Sequence, residues 1–561
     1  MPRPRLRLFV VALAATVATL SAATGGGLAL ISRDDLKTWL TYIASDALEG
    51  RALYSTGLGL AAGYIEGHLE QWNVRPAGDP GSYLQTVDVL GVKRSGHPTV
   101  TVQVGNDSRT FADADVVFPR FLGRKRTLTI DHVEFVGYGV DAPRMGHADY
   151  AGKNLRDAAV VWLGMQGPRD IDAGASRIIL NDRDEYAIDA FSAAATIGPL
   201  QPGANGRGAA APAAQAAGRG RANQIPAADF TTVRRLDAAV APAVSVSDAF
   251  FEFLFSRAPV KYAELKSKAD AQQPLPSFRL DGVKLTFNLS DDYEVVRTQL
   301  AHNVVAIVEG SDPQLKNTYV AFGAHYDHVG YAQGEVVSEG GSRRRLGAPV
   351  FGFVKPGNED DRIWNGADDD GSGTVALMAL ARAFAEGPRP RRSLLFVWHT
   401  GEESGRYGSL YFADHPTVPI DSIVAQLNVD MIGRNRDDRS SESNTVYLVG
   451  SDRISSELHD ISREANAALA PPMTLNYEFN DPGDPEQLYF RSDHFSYAEK
   501  GIPVIFFTTG LHPDYHTNAD EVSKIEFDKM VRVTDLIYET GWRLANLDHA
   551  PARDNKGPRT W

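Results

Sequence analysis

The chain of 561 residues contains no cysteine. Disulfides, thiolate metal sites and cysteine nucleophiles are therefore excluded, and a metal could be held only by His, Asp and Glu. A surplus of positive charge is also missing: 57 Lys and Arg stand against 71 Asp and Glu, a formal charge of −14. Phosphate affinity needs a cationic surface, so this balance argues against nucleic acid as a partner. Beyond the first two dozen residues no apolar run approaches the ~20 residues of a membrane span. What is present, 43% hydrophobic and 23% charged residues, falls in the globular range. At ~150 residues per domain the length alone predicts three to four domains.

The longest apolar run lies at the start. Arg3, Arg5 and Arg7 precede an almost unbroken apolar stretch from Leu8 to Leu20, followed by the small residues Ser21-Ala22-Ala23. This order predicts a secretory signal peptide over 1–23, because about 13 apolar residues are too few to span a bilayer. Export without cysteine suits a bacterial periplasm or the cell exterior. Removing 1–23 takes three arginines and no acids, leaving 54 basic side chains against 71 acidic and a mature charge of −17. The mature protein is expected to have no stable membrane span.

Downstream the chain changes texture. From Asp34 to about Leu90 the pattern is helical, with Leu36, Leu40 and Ile43 at helix spacing. Short β runs follow, among them Thr99 to Val104, Val133 to Val140 and Ala158 to Leu163. Within them, 203–228 is Ala/Gly/Pro/Arg sequence poor in large apolar groups, read as a mobile loop. From about Leu285 to Asp548 strand-like and helical runs alternate, which predicts an α/β fold with a mainly parallel central sheet flanked by helices.

Five segments of that last region carry metal-type residues. Tyr319 to Ala324 runs into His325-Tyr326-Asp327-His328, and Asn365 to Gly373 holds Asp368-Asp369-Asp370 before a helix from Thr374. Leu394 to Trp398 delivers Gly401-Glu402-Glu403, Ile423 to Val429 ends on Asp430, and Val504 to Thr508 precedes Leu511 to Asp520. Ligands gather at the carboxyl ends of strands in open α/β sheets. Any one of these pieces could be structural; three acids before a helix also suit the helix dipole. Five in one domain, in order, are hard to reconcile with structural duty alone.

The series GAHYDHVG, NGADDDGSG, HTGEESG, NVDMIGR and YHTNAD, with Arg491-Ser492-Asp493-His494 and Gly501-Ile502-Pro503 between the last two, resembles the M28 family of zinc aminopeptidases. The resemblance implies a zinc exopeptidase fold over 30–95 and 282–550. The β-rich stretch 96–281, with Phe135 to Val140 and Asp149 to Lys153, resembles a protease-associated (PA) domain inserted between them. By position, His325 and Asp430 would bind one zinc, Glu403 and His516 a second, and Asp369 would bridge the two ions of each chain. Glu402 would be the general base, Asp327 would orient His325, and Tyr515 would help stabilise the oxyanion. His328, His399, His494 and His512 are left as structural or supporting residues, and 330–364 as a surface loop beside the site.

The chemistry agrees. A carboxylate can span two ions, and such a pair acidifies water and polarises a carbonyl. The expected reaction is release of N-terminal residues from peptide substrates. A carboxypeptidase or a glutaminyl cyclase on the same scaffold, and a non-catalytic binding protein, are the alternatives. Five filled ligand positions disfavour the single-metal cyclase, and the presence of the base disfavours the binding protein.

Overall fold

The computed structural model describes residues 26–169, 171, 180, 183–200, 231–233, 239–339, 342–348, 352–481, 483, 484 and 486–555. The expected signal segment 1–23 and loop 203–228 lie outside the described residues. Among those described, no helix is long and apolar enough to cross a membrane.

Two helices open the fold. Arg33–Ile43 starts at Ser32, whose side chain accepts the Asp35 amide, and its first turn carries Asp34 and Asp35. The spacing of Leu36, Trp39, Leu40 and Ile43 gives one apolar stripe, and all four are buried. Thr56–Gln71 is capped in the same way by Ser55. The chain then forms the strand Leu84–Arg94, which begins before the end of the stretch read as helical.

The large sheet has ten strands. Its main path runs Thr231–Val233, Leu84–Arg94, Tyr293–Val308, Ser393–His399, Tyr319–His325, Ile423–Val429, Val504–Thr508, Thr445–Val449, Thr474–Asn476. The four strands from Ser393–His399 to Val504–Thr508 are parallel and buried along their whole length, as continuous apolar runs require. On either side the pairing turns antiparallel. The sheet is thus mixed with a parallel centre, where the sequence predicts a mainly parallel one. The antiparallel part arises because Leu84–Arg94 and Tyr293–Val308, which flank the insertion, pair with each other as a long ribbon.

Helices Gly373–Glu386 and Phe527–Asn546 join the first two helices on one face of this sheet, in a core that includes Leu40, Phe322, Phe384, Phe396 and Tyr538. The other face is covered by a second cluster around Phe412, Tyr447, Phe479 and Tyr497.

The insertion has its own core. A six-stranded sheet and a four-stranded sheet enclose Val102, Phe111, Phe135, Val161, Phe250 and Phe287. Val283–Leu289 pairs with Thr99–Val104 and Arg126–Ile130 and belongs to the insertion, past the boundary expected at 281. Its alternation decides this: Val283, Leu285, Phe287 and Leu289 all point into that core.

Candidate metal and catalytic site

Every expected site residue but Asp369 sits at the end of a central strand or in the segment that follows one, and Asp369 lies on the turn before helix Gly373–Glu386. His325 closes the strand Tyr319–His325, Glu402 and Glu403 follow Ser393–His399, and Asp430 follows Ile423–Val429. His516 lies in the segment after Val504–Thr508. His325 Nε2 is 3.3 Å from Asp369 Oδ1 and 3.8 Å from Asp430 Oδ2. His516 Nε2 is 3.0 Å from Asp369 Oδ2 and 3.1 Å from Glu403 Oε2. Asp369 therefore touches both halves of the set.

The three consecutive acids do three different things. Asp369 faces the site. Asp370 is a bracket: its carboxylate accepts the amides of His325, Gly373 and Met431, joining two strand ends and the helix start. Asp368 accepts the Gly433 amide, while the Asp520 carboxylate accepts the amides of Asp368 and Asp369. Gly366 makes the turn possible, because its φ of +57° disfavours a side chain and a Cβ there would lie 2.3 Å from the Asp369 carbonyl.

Asp327 holds the acid pair in place. Its two carboxylate oxygens accept the amides of Glu402 (3.0 Å) and Glu403 (3.3 Å). His325 Nδ1 lies 3.1 Å from the Asp327 carbonyl and 3.8 Å from the carboxylate, so the imidazole meets mainly the backbone of this residue.

Several residues enter the site without having been singled out by sequence. His328 Nδ1 is 2.7 Å from Glu403 Oε1 and 3.9 Å from Asp369 Oδ2, which makes a third imidazole of the site. Its spacing from His325 was the available signal. Ser492 donates to Asp430 Oδ2 at 2.7 Å. Arg51, fully buried, donates to the carbonyls of Ile43, Tyr326, Asn365 and Gly366. Nothing in its sequence surroundings marks it. The remaining histidines are structural: His399 lies 3.3 Å from Asp493, His512 lies 3.4 Å from Asp368, and His494 packs against Tyr489 and Phe506. The described parts of 330–364 pack on the segment carrying His516, with Asn518 bonded to Lys355, Asn358 and Asp361.

Two groups of side chains could each hold a metal ion, His325 with Asp369 and Asp430, and His328 with Asp369 and Glu403. This oxygen and imidazole chemistry suits zinc. The protonation of the site fits a place for cations as well. Burial alone would lower His516, but Glu403 and Asp369 outweigh it and raise it to about 10. Burial opposes a proton on His325 too, yet bonds to Asp369 and Asp430 push it well above the usual imidazole range. So many carboxylates are buried together that neighbouring imidazoles are drawn into carrying positive charge. The adjacent acids diverge. Burial raises Glu402 well above the ordinary carboxyl range, with Asp493, Glu403 and Asp430 adding to it. Burial would raise Glu403 as well, but His516 and His328 bring it down to about 2.

Residues 303–541 match Peptidase family M28. The matched stretch contains the whole set from His325 to His516. A "Probable zinc metalloprotease" of Pyrenophora tritici-repentis is 26% identical over 245 residues, 36% of this chain and 49% of that protein. "Leucine aminopeptidase 1" of Trichophyton equinum is 24% identical, over 42% of this chain and 56% of that one. The chain spans about half the length of these curated relatives. Among solved structures, an aminopeptidase from Aneurinibacillus sp. strain AM-1 aligns over 95% of this chain and 98% of its own, at 17% identity and a TM-score of 0.43.

Proposed function

We propose that the protein is a zinc-dependent exopeptidase of the M28 type, most simply an aminopeptidase with two zinc ions per chain. The observation that carries this reading is the pair of buried donor groups sharing Asp369. His325 and Asp430 would hold one ion, and Glu403 with His516 the other, with His328 beside them. Bound zinc would supply Lewis-acid polarisation of the scissile carbonyl and acidify the attacking water. Glu402, a carboxyl with raised proton affinity, would take the proton of that water and return it to the leaving amine. Asp327 fixes the backbone of Glu402, and Tyr515 would offer its hydroxyl to the oxyanion.

The cavity at the site is small, about 40 Å³. Glu402, Asp369 and Asp430 line it together with Met431, Leu488, Phe506 and Leu511. Carboxylates favour a substrate ammonium group, and the apolar wall favours one side chain, which together support release of single residues from the amino end. A carboxypeptidase has one observation in its favour, the Arg491 guanidinium in the same lining, which could receive a terminal carboxylate.

The insertion is read as a PA-like domain that narrows access to the site. Its helix Arg183–Phe191 supports this by meeting chain segments that adjoin site residues: Asp189 lies 3.4 Å from Arg406, which follows Glu403 closely in the chain, and Tyr186 packs edge-on against Phe490, next to Arg491, at 5.7 Å. The basic and apolar start of the chain supports export.

A panel of free and N-acetylated peptides, with products read by mass spectrometry and zinc measured on the purified chain, tests the reading. About two zinc ions and cleavage confined to free amino ends are expected. Cleavage from the carboxyl end would replace it with the carboxypeptidase, and a metal-free, inactive protein would overturn it.

A further inference from the structure

Among the described residues lining the catalytic cavity, Arg491 is the only arginine or lysine. It ends the short turn Leu488–Phe490 and directly precedes Ser492, which donates to Asp430. Its guanidinium is tethered at one end: Nη1 donates to the Glu486 carbonyl at 3.1 Å, with the Glu486 carboxylate 3.6 Å away. At the other end Nη2 donates to Tyr515 Oη at 3.3 Å. The Tyr515 ring is held a second way, stacked on the His516 imidazole with centroids 3.8 Å apart and planes 26° apart.

This geometry restricts the phenol. A guanidinium has only donors, so the Tyr515 oxygen must be the acceptor of that bond. The phenol's own proton cannot point at Arg491 and is left to donate elsewhere, and both side chains line the same cavity. The adjacent positive charge polarises the O–H bond and makes it a better donor. Elsewhere the lining carries the carboxylates Asp369, Glu402 and Asp430, which oppose negative charge developing on a substrate oxygen.

We propose that Arg491 is a positioning residue for the reaction, which fixes and polarises the Tyr515 hydroxyl so that it donates to the oxygen of the scissile carbonyl. This rests on the peptidase reading above. No proton is transferred in this step: Tyr515 keeps its hydrogen, and the bond strengthens as charge develops on the substrate. The role differs from that of a substrate-carboxylate anchor, in which the guanidinium itself would touch the peptide.

The two roles separate in a double-mutant cycle on the zinc-loaded full chain, with the best free-amino substrate of the peptide panel. Arg491→Met and Tyr515→Phe are each expected to lower kcat about 10- to 100-fold, with KM within about twofold. The double variant should be no worse than Tyr515→Phe alone within about threefold, because both changes remove one interaction. Arg491→Lys should regain part of kcat only while Tyr515 is present. Zinc content and Tm are measured on every variant; if Arg491→Met does not fold, Arg491→Gln takes its place in the cycle. Losses that multiply in the double variant, or a raised KM with kcat unchanged in Arg491→Met, would overturn the proposal and leave the peptidase intact. A zinc-loaded wild type without peptidase activity would overturn both.

Discussion

Glu402 and Glu403 are neighbours in the chain and opposites in chemistry. Burial and surrounding acids raise the proton affinity of Glu402, whereas two imidazoles hold Glu403 ionised. Pairs of carboxyls driven apart in this way divide the labour of proton transfer and cation binding. Glu402→Gln is therefore expected to lower kcat about 100- to 10,000-fold while zinc content stays unchanged, as steady-state rates and elemental analysis would show. Undiminished turnover would remove Glu402 from the mechanism. These two acids were legible in sequence because they follow an apolar strand. His328 was legible only as a histidine of unknown duty, since its approach to Glu403 depends on how the chain turns after His325. The choice of Asp369 among three acids rested on resemblance; its neighbours are distinguished by the backbone amides they accept, and no spacing rule reveals those.

At the level of elements, the four central strands could be read almost to the residue, because strands buried on both faces are continuous apolar runs. Leu84–Arg94 was harder. Its inward and outward residues are only half sorted, and Gly91 interrupts the run. The contact of helix Arg183–Phe191 with the segments beside the site could not be read at all, since it joins residues roughly 200 to 300 positions apart. Asp189→Ala removes its ion pair to Arg406, and the ratio of long-peptide to dipeptide kcat/KM is expected to rise about threefold. An unchanged ratio in a chromatographic assay would count against a gating role. Helix Phe527–Asn546 offers a pH test. Burial, with help from Glu539, pushes Asp535 up to about 7. A carboxyl raised in the folded state binds its proton more tightly there than when unfolded. Its contribution is thus most favourable at low pH and declines between about pH 4 and 7. Asp535→Asn should raise Tm at pH 8, by the equivalent of roughly 1 kcal/mol, and the gain should vanish near pH 4 in thermal melts.

For the whole molecule, where length alone predicts three to four domains, the described residues pack chiefly around the large sheet and, separately, in a core drawn from residues 100–289. The family match begins at 303, yet the site is fastened by a residue far upstream. Arg51 draws together the carbonyls next to His325 and those preceding Asp369. Arg51→Met should weaken zinc binding about tenfold or more in a chelator competition, with Arg51→Lys between it and the wild type. Equal zinc affinity in all three would mean that the guanidinium only stabilises the fold. Sequence placed 30–95 beside the M28-like region by resemblance, but the physical reason for the pairing, four carbonyls meeting one buried cation, appears only in three dimensions.

The ribbon formed by Leu84–Arg94 and Tyr293–Val308 imposes an order of events on a chain made from its amino end. The insertion is one continuous stretch and has everything it needs for its core once about residue 290 has been synthesised. The helix Arg33–Ile43 does not, because the partners of its apolar stripe include residues of Phe527–Asn546. At ribosomal speeds of about 5–20 residues per second, that stripe waits roughly half a minute or longer for its cover. The first part of the catalytic unit to be made is therefore among the last to be buried, and Leu36, Trp39, Leu40 and Ile43 form the surface most in need of protection in the nascent chain.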